Sequence, residues 1–136
     1  MIRVLIADDH ELVREGLRAL FAESELLELV GEASNGQEAV AMAKSLKPDV
    51  VLMDVAMPIM DGIQATATLK NDNVPTKVLI LSTFVERAKV IEAVQAGAYG
   101  YLLKDVSRHD LSNAIERVHA GERVFHDEAQ AALDQR

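Results

Sequence analysis

The sequence repeats one pattern five times, and this repeat is the strongest constraint on the fold. Each unit is a short apolar run followed by a segment whose apolar residues recur every three or four positions. Such runs are typical of buried strands, and the helical spacing is typical of amphipathic helices. The five apolar runs are residues 2–7, 27–33, 48–54, 77–82 and 99–103. Because right-handed crossovers leave few other arrangements, the alternation predicts a parallel sheet wrapped by helices.

Capping residues mark where several of the predicted helices begin and end. Asn35 and Asp61 are each followed three residues later by a residue in capping-box spacing, Glu38 and Gln64 respectively. Gly97 is suited to a left-handed cap at the end of the fourth helix. We therefore predict an α/β fold of the flavodoxin-like, doubly wound class. It has five parallel strands in the order 2-1-3-4-5 and five helices on both faces of the sheet.

Composition excludes several classes of function. The 136 residues are 49% apolar and 26% charged, which is typical of one soluble globular domain. The absence of cysteine rules out disulfides and thiolate metal sites. A formal net charge of −8 argues against direct binding of nucleic acid, because such binding depends on Lys and Arg at the phosphates.

The sequence also predicts a cellular location. No apolar run approaches the roughly 18 residues that a membrane span needs, so we expect no membrane association. The N-terminus becomes acidic at Asp8 and Asp9 and lacks the pattern of a secretory signal. We therefore expect the protein in the cytoplasm.

Polar residues follow four of the predicted strands at the points where they end. Asp8 and Asp9 follow the first strand, Asp54 ends the third, Ser82 ends the fourth and Lys104 follows the fifth. The carboxyl ends of parallel strands line one crevice, so these side chains are expected to converge. Three neighbouring carboxylates repel one another unless a cation intervenes, and oxygen ligands suit Mg²⁺.

This set of groups is suited to phosphoryl transfer. Asp54 is a candidate nucleophile, Lys104 supplies a positive charge, and Ser82 supplies a hydroxyl. Each residue alone has an ordinary explanation: an Asp capping the first helix, a Ser bonding to the strand end, a solvated Lys. Coincidence does not readily account for all of them at successive strand ends.

Several ordered motifs resemble the receiver domain of two-component response regulators over about residues 2–120. The matching segments are Ala7–His10, Met53-Asp54, Met57–Gly62, Leu81–Thr83 and Ala96–Asp105. The resemblance implies that Asp54 accepts a phosphoryl group from a partner sensor histidine kinase. Such a domain acts as a switch that phosphorylates and dephosphorylates itself, and it is not a turnover enzyme.

The resemblance also implies roles for individual residues. Asp9, Asp54 and the backbone carbonyl of Ala56 would bind Mg²⁺, with Asp8 nearby through water. Ser82 and Lys104 would contact the phosphoryl group.

One aromatic residue is implicated in signal output. Tyr101 corresponds to the aromatic switch residue, which turns inward when the hydroxyl of Ser82 moves. The alternative is that Tyr101 only packs against the last two helices.

The end of the chain points to one branch of this family. Leu102–Asp105 and Gly121–Arg123 resemble the NarL/FixJ branch, also called LuxR-type, whose members carry a C-terminal helix-turn-helix. We assign residues 1–120 to the receiver domain and 121–136 to a linker or short helix, capped by Asp127, leading to a missing DNA-binding module. A frayed terminal helix is the alternative. The branch implies homodimerisation on phosphorylation, with DNA bound only through the missing module.

Two other functions are compatible with the fold. A flavodoxin-like cofactor binder is disfavoured because the acids would repel a flavin phosphate. A phosphohydrolase with an aspartyl-phosphate intermediate is disfavoured because nothing resembles a substrate cap.

Finally, Ile59 stands where many relatives have glycine, and we expect its side chain to pack locally.

Overall fold

The computed structural model describes residues 1–135, in which strands and helices alternate. The strands are β1 (Ile2–Ala7), β2 (Leu27–Ala33), β3 (Val50–Asp54), β4 (Lys77–Ser82), β5 (Gly100–Leu103) and β6 (Val124–Phe125). The helices are α1 (Glu11–Glu23), α2 (Gly36–Leu46), α3 (Gly62–Asn71), α4 (Arg87–Gln95), α5 (Arg108–His119) and α6 (Asp127–Asp134). Among these residues, no helix has both the length and the apolar character needed to cross a membrane.

All six strands are parallel and form one sheet in the order β2-β1-β3-β4-β5-β6. The predicted doubly wound fold and the order 2-1-3-4-5 are confirmed. The predicted counts of five strands and five helices are each one too low, because β6 and α6 extend the fold. The order reverses between β1 and β3, so the crevice of a doubly wound sheet lies beside β3.

Alternate residues of each central strand point to opposite faces of the sheet. Leu5 and Met53 belong to a core cluster formed with α2, α3, α4 and α6. Val4 and Leu52 belong to a second cluster formed with α1 and α5. All five residues of β3 are buried, because both faces of this strand are covered.

The predicted caps form at two helices. The side chain of Asn35 accepts a hydrogen bond from the Glu38 amide at 2.8 Å, although the Glu38 carboxylate accepts from Ser34 and does not complete the box. Asp61 and Gln64 form a full reciprocal capping box. These bonds fix the starts of α2 and α3 beside the carboxyl edge of the sheet.

The C-terminal segment is packed onto the sheet and is not a frayed end. The amide of His126 donates to the carbonyl of Tyr101 at 2.9 Å, which attaches β6 to β5. Ala129 and Ala132 are buried against the cluster that contains α4. The cap of α6 is His126, and Asp127 is the first helical residue. Ala129 and Ala132 therefore mark the face of α6 that docks on the domain.

Ile59 does not pack locally as expected. Its side chain is 76% exposed, and its backbone has φ of 70°. The left-handed region is unfavourable for β-branched side chains and natural for glycine. The loop conformation after Asp54, and not side-chain packing, therefore explains why glycine suits this position.

Candidate functional site

The carboxyl edge of the sheet brings together the five residues that the sequence singles out. Asp8 and Asp9 follow β1, Asp54 ends β3, Ser82 ends β4, and Lys104 follows β5. Because these strands are neighbours in a parallel sheet, their ends meet at one edge. The side chains share a crevice, as the distances between them demonstrate.

Lys104 lies between two buried carboxylates. Its Nζ is 2.8 Å from Asp8 Oδ2 and 3.2 Å from Asp54 Oδ2. Asp8 is 3% exposed and Asp54 is 5% exposed. Asp54 Oδ2 is buried and forms an ion pair with Lys104, but it accepts no hydrogen bond. Such an oxygen is costly to bury unless a cation or another donor approaches it.

Burial and charge shift the protonation of this site. Burial raises the pKa of Asp54, and the charge of Asp8 raises it further, while Lys104 opposes both effects. Burial acts to lower the pKa of Lys104, but its contacts with Asp8 and Asp54 outweigh burial and raise it. Lys104 is therefore held firmly in its positively charged form. Its single charge does not fully compensate the two carboxylates of Asp8 and Asp54.

The acidic cluster has the composition of a hard-cation site. Asp8, Asp9, His10 and Asp54 each offer a ligand atom, and these atoms lie within 4.8 Å of one another. Carboxylate oxygens dominate the set, because three of its four residues are aspartates. These residues fit a divalent ion such as Mg²⁺, which accepts one or two carboxylates and retains waters.

His10 is a member of the cluster that the sequence did not identify. Its Nδ1 lies 2.9 Å from Asp8 Oδ1 and 3.2 Å from Asp9 Oδ1. The available signal is its position directly after two acids, since histidine is a common metal ligand. His10 is also the N-cap residue of α1, where no side chain makes a capping hydrogen bond. The ordinary reading of Asp8 or Asp9 as a helix cap is therefore wrong.

A cleft of about 270 Å³ lies beside Asp54 and is lined by residues of the β3 and β4 ends. Ser82, Ala56 and Tyr101 all line it. Tyr101 points inward and is 1% exposed, and its hydroxyl donates to the Phe84 carbonyl at 3.5 Å. Burial raises the pKa of Tyr101, and a hydrogen bond with Ser82 opposes this shift. The two proposed switch residues are thus direct neighbours next to Asp54.

Glycine at position 62 allows α3 to begin directly against Asp54. A Cβ at Gly62 would lie 1.9 Å from the Asp54 carbonyl oxygen, well inside van der Waals contact. The Gly62 amide donates to the Val55 carbonyl at 2.8 Å. The sequence identified Gly62 only as part of a helix start, because a close approach of two backbones leaves no local signal.

Comparison with known proteins identifies the family. The response regulator receiver domain matches residues 4–116. The transcriptional regulatory protein LnrK of Bacillus subtilis is 43% identical over 133 residues, covering 98% of this chain and 60% of that protein. The response regulator protein VraR of Staphylococcus aureus is 42% identical over 135 residues, covering 99% of this chain and 65% of that protein. The chain thus spans less than two thirds of these relatives.

A solved structure has the same architecture. The LuxR-family two-component response regulator of Aurantimonas sp. SI85-9A1 superposes with a TM-score of 0.89 and 32% identity, covering 98% of this chain and 95% of that chain. The sheet order, the acidic crevice and the match over most of the sequence agree with one another. The chain belongs to the response regulator receiver domain family, and its relatives include regulators of the LuxR/NarL type.

Proposed function

We propose that this receiver domain is a phosphorylation switch in which Asp54 accepts a phosphoryl group from a sensor histidine kinase. The observation that supports it best is the position of Asp54 Oδ2. This oxygen is buried, has no hydrogen-bond partner, and lies 3.2 Å from Lys104 at the crevice. Asp54 also lines the cleft at the end of β4, through which an incoming group can approach, and Lys104 supplies a fixed positive charge beside the carboxylate.

The chemical step needs no base, because the nucleophile is already an anion. A carboxylate oxygen of Asp54 forms a bond to phosphorus while the phosphorus–nitrogen bond of the donor phosphohistidine breaks. Lys104 and the hydroxyl of Ser82 then bind oxygens of the transferred group. In a separate hydrolysis step, water forms a bond to phosphorus while the bond between phosphorus and the Asp54 oxygen breaks, so inorganic phosphate leaves and the free Asp54 carboxylate is restored.

We propose that Mg²⁺ is the cofactor, held by Asp8, Asp9, Asp54 and the backbone carbonyl of Ala56. When bound, the ion neutralises carboxylates that would otherwise repel a phosphoryl dianion. Asp8 is already paired with Lys104 at 2.8 Å, which suits a role through water. Ala56 lines the cleft that also contains Asp54.

The signal leaves the site through the β4–α4 loop. Ser82 Oγ accepts from the Phe84 amide at 3.4 Å, and the Phe84 carbonyl accepts from Tyr101 at 3.5 Å. If the Ser82 hydroxyl moves to bind a phosphoryl oxygen, its hydrogen bond with the Phe84 amide must break. Ser82 and Tyr101 are therefore the switch residues in our proposal, and the loop is the bistable element.

Phosphorylation is proposed to favour a homodimer, preferably through α1 and α5. Leu12 on α1 is 81% exposed beside an apolar cleft of about 240 Å³, which Leu17, Leu20 and Leu111 help to line. The alternative face of α4, β5 and α5 is less accessible, since α6 packs on α4. DNA binding is proposed only for a helix-turn-helix module beyond this chain, because the net charge here is −8.

Intact-mass analysis after treatment with acetyl phosphate and Mg²⁺ tests the chemistry. We expect the mass of one phosphoryl group on the native chain and none on Asp54→Ala. Excess chelator, or Asp9→Ala, is expected to suppress the addition. Normal phosphorylation of Asp54→Ala would overturn the assignment, and normal phosphorylation in chelator would overturn the metal requirement.

Sedimentation tests the output. We compare the chain with and without beryllofluoride and Mg²⁺, and we repeat the measurement with Leu12→Asp. The native chain is expected to dimerise only with the phosphoryl mimic, and Leu12→Asp is expected to remain monomeric. Identical sedimentation with and without the phosphoryl mimic, over a wide range of concentrations, would exclude self-association as the output. Dimerisation of Leu12→Asp would contradict the α1–α5 interface and favour the alternative face of α4, β5 and α5.

A further inference from the structure

A second cavity lies at the opposite edge of the sheet from Asp54. It is a groove of about 730 Å³ at the amino ends of β4 and β5. Its walls come from the end of α3, the end of α4, and α6. This volume lies within the range of sites that hold small organic molecules. The site does not depend on the phosphorylation chemistry proposed above.

The groove carries positive charge in a strongly acidic protein. Lys70, Lys77 and Arg123 line it, and none of its lining residues is acidic. In residues 1–135, none of these three cations lies within salt-bridge distance of a carboxylate. With a net charge of −8 over the chain, an uncompensated group of three cations is a local exception.

Two of the cations are held in place by one aromatic ring. The guanidinium carbon of Arg123 lies 4.0 Å from the centroid of the Tyr99 ring, and Lys77 Nζ lies 5.7 Å from the same centroid. Arg123 also donates to the Ala98 carbonyl at 3.0 Å. Because these contacts use the ring and a carbonyl, they position both cations and leave their charges uncompensated. An anion is the partner they lack.

The remaining wall of the groove is mostly apolar, although Thr66, Asn73 and Thr76 also line it. Leu69, Val94 and Leu133 contribute aliphatic surface from three different helices. Thr76 Oγ1 is buried and has no hydrogen-bond partner. The groove therefore offers cations and apolar surface together.

We propose that this groove binds an organic anion with a flat apolar body, of the aromatic carboxylate class. The carboxylate contacts Lys77 and Arg123, and the ring lies against Leu69 and Val94. Inorganic phosphate lacks the apolar part, and a neutral aromatic lacks the charge, so each satisfies only half of the groove. Since Leu133 of α6 lines the site, a bound ligand also contacts the last helix of the domain.

Backbone amide chemical shifts of the 136-residue chain test the proposal with three probes: 2-naphthoate, its neutral analogue 2-naphthalenemethanol, and inorganic phosphate. We expect saturable shifts with 2-naphthoate centred on Lys77, Gly97, Tyr99 and Arg123. We expect binding of the two other probes to be at least about tenfold weaker, which is the effect of one lost charge-assisted contact. Equal binding of the neutral analogue or of phosphate would overturn the proposal, as would shifts elsewhere or none.

Charge-neutral variants provide the second part of the test. Arg123→Gln and Lys77→Gln are each expected to weaken binding of 2-naphthoate by about tenfold without changing thermal stability by more than a few degrees. Lys44→Gln is the matched control, because Lys44 is exposed, pairs with Asp72 and does not line the groove. Unchanged affinity in both groove variants, or equal loss in the control, would contradict the site.

Discussion

The Nζ atom of Lys104 is closer to Asp8 than to Asp54. The distances are 2.8 Å to Asp8 Oδ2 and 3.2 Å to Asp54 Oδ2. Lys104 thus pairs more closely with the Asp8 carboxylate, and Asp54 Oδ2 has no hydrogen bond. A phosphoryl group on Asp54 would bring new anionic oxygens to the same lysine. Lys104 therefore connects the resting charge balance of the site with its proposed chemistry.

Lys104→Met is expected to destabilise the domain and to reduce phosphorylation. In chelator, the free energy of unfolding should fall by about 3–5 kcal/mol, because two buried carboxylates lose their cation. Mg²⁺ should recover part of this loss if the acids bind it. Urea unfolding with and without Mg²⁺ measures the loss of stability and its recovery. Intact-mass analysis after treatment with acetyl phosphate and Mg²⁺ measures phosphorylation.

The control for this variant is Lys44→Met. Lys44 forms an exposed pair with Asp72 at 2.7 Å, so its loss should change stability by less than about 0.5 kcal/mol and should not respond to Mg²⁺. Equal stability of Lys104→Met and the native chain in chelator would contradict a compensating role for Lys104.

The raised pKa of Asp54 predicts how stability depends on pH. A group whose pKa is higher in the folded state than its ordinary 3.8 contributes stability below 3.8, and that contribution is lost as pH rises through the folded-state pKa. Asp54→Asn carries no such charge, so in chelator its advantage over the native chain should grow with pH across this window. Thermal unfolding of both proteins from pH 3 to pH 7 measures the difference.

Two outcomes of this pH series are informative. A constant difference between the proteins would mean that Asp54 does not titrate with a raised pKa. If the native chain becomes more stable relative to Asp54→Asn as pH rises, the pKa of Asp54 is lowered. The charge of Lys104 would then outweigh the effect of burial. Mg²⁺ at neutral pH should narrow the gap, because the native chain has one more carboxylate than the variant with which to bind the ion.

Much of this architecture could be predicted because it depends on local patterns. The apolar runs and caps define five strand–helix units, and topology then places Asp54 and Lys104 at one edge. β6 was missed because Val124-Phe125 is only two residues long, and its pairing with β5 is a tertiary contact. A two-residue run carries no periodicity.

The details of the site depend on distances that sequence spacing does not encode. His10 adjoins two predicted ligands, yet only the turn after β1 places its ring between them. Gly62 touches the backbone of Asp54 although eight positions separate the two residues. The left-handed backbone and exposed side chain of Ile59 could not be predicted either, because the polarity of a residue carries no information about its φ angle. Each of these features arises from backbone geometry.

Gly62→Ala is expected to disturb the site from outside its charged cluster. The new Cβ would overlap the Asp54 carbonyl oxygen, so α3 or the end of β3 must shift, at a cost of about 2–3 kcal/mol. Phosphorylation by acetyl phosphate should fall with it. Gly16→Ala is the control, since nothing lies within 4 Å of its Cβ and alanine favours helix by about 0.5–1 kcal/mol. Equal effects of the two substitutions would contradict the close approach.

The last prediction concerns α6, whose buried face contains Ala129 and Ala132. Ala132→Glu places a charge against the cluster shared with α4, and burying it unpaired is costly. Because α6 lies outside the five central strand–helix units, the domain can relieve that cost by releasing α6. We therefore expect amide protection to be lost in residues 124–135 and retained in β1, β3 and β4, with global stability lower by about 1–3 kcal/mol. Ala131→Glu, on the exposed side of the same helix, should keep the protection. Hydrogen exchange of the two variants compares them directly, and equal protection of α6 in both would mean that its alanine face does not hold it on α4.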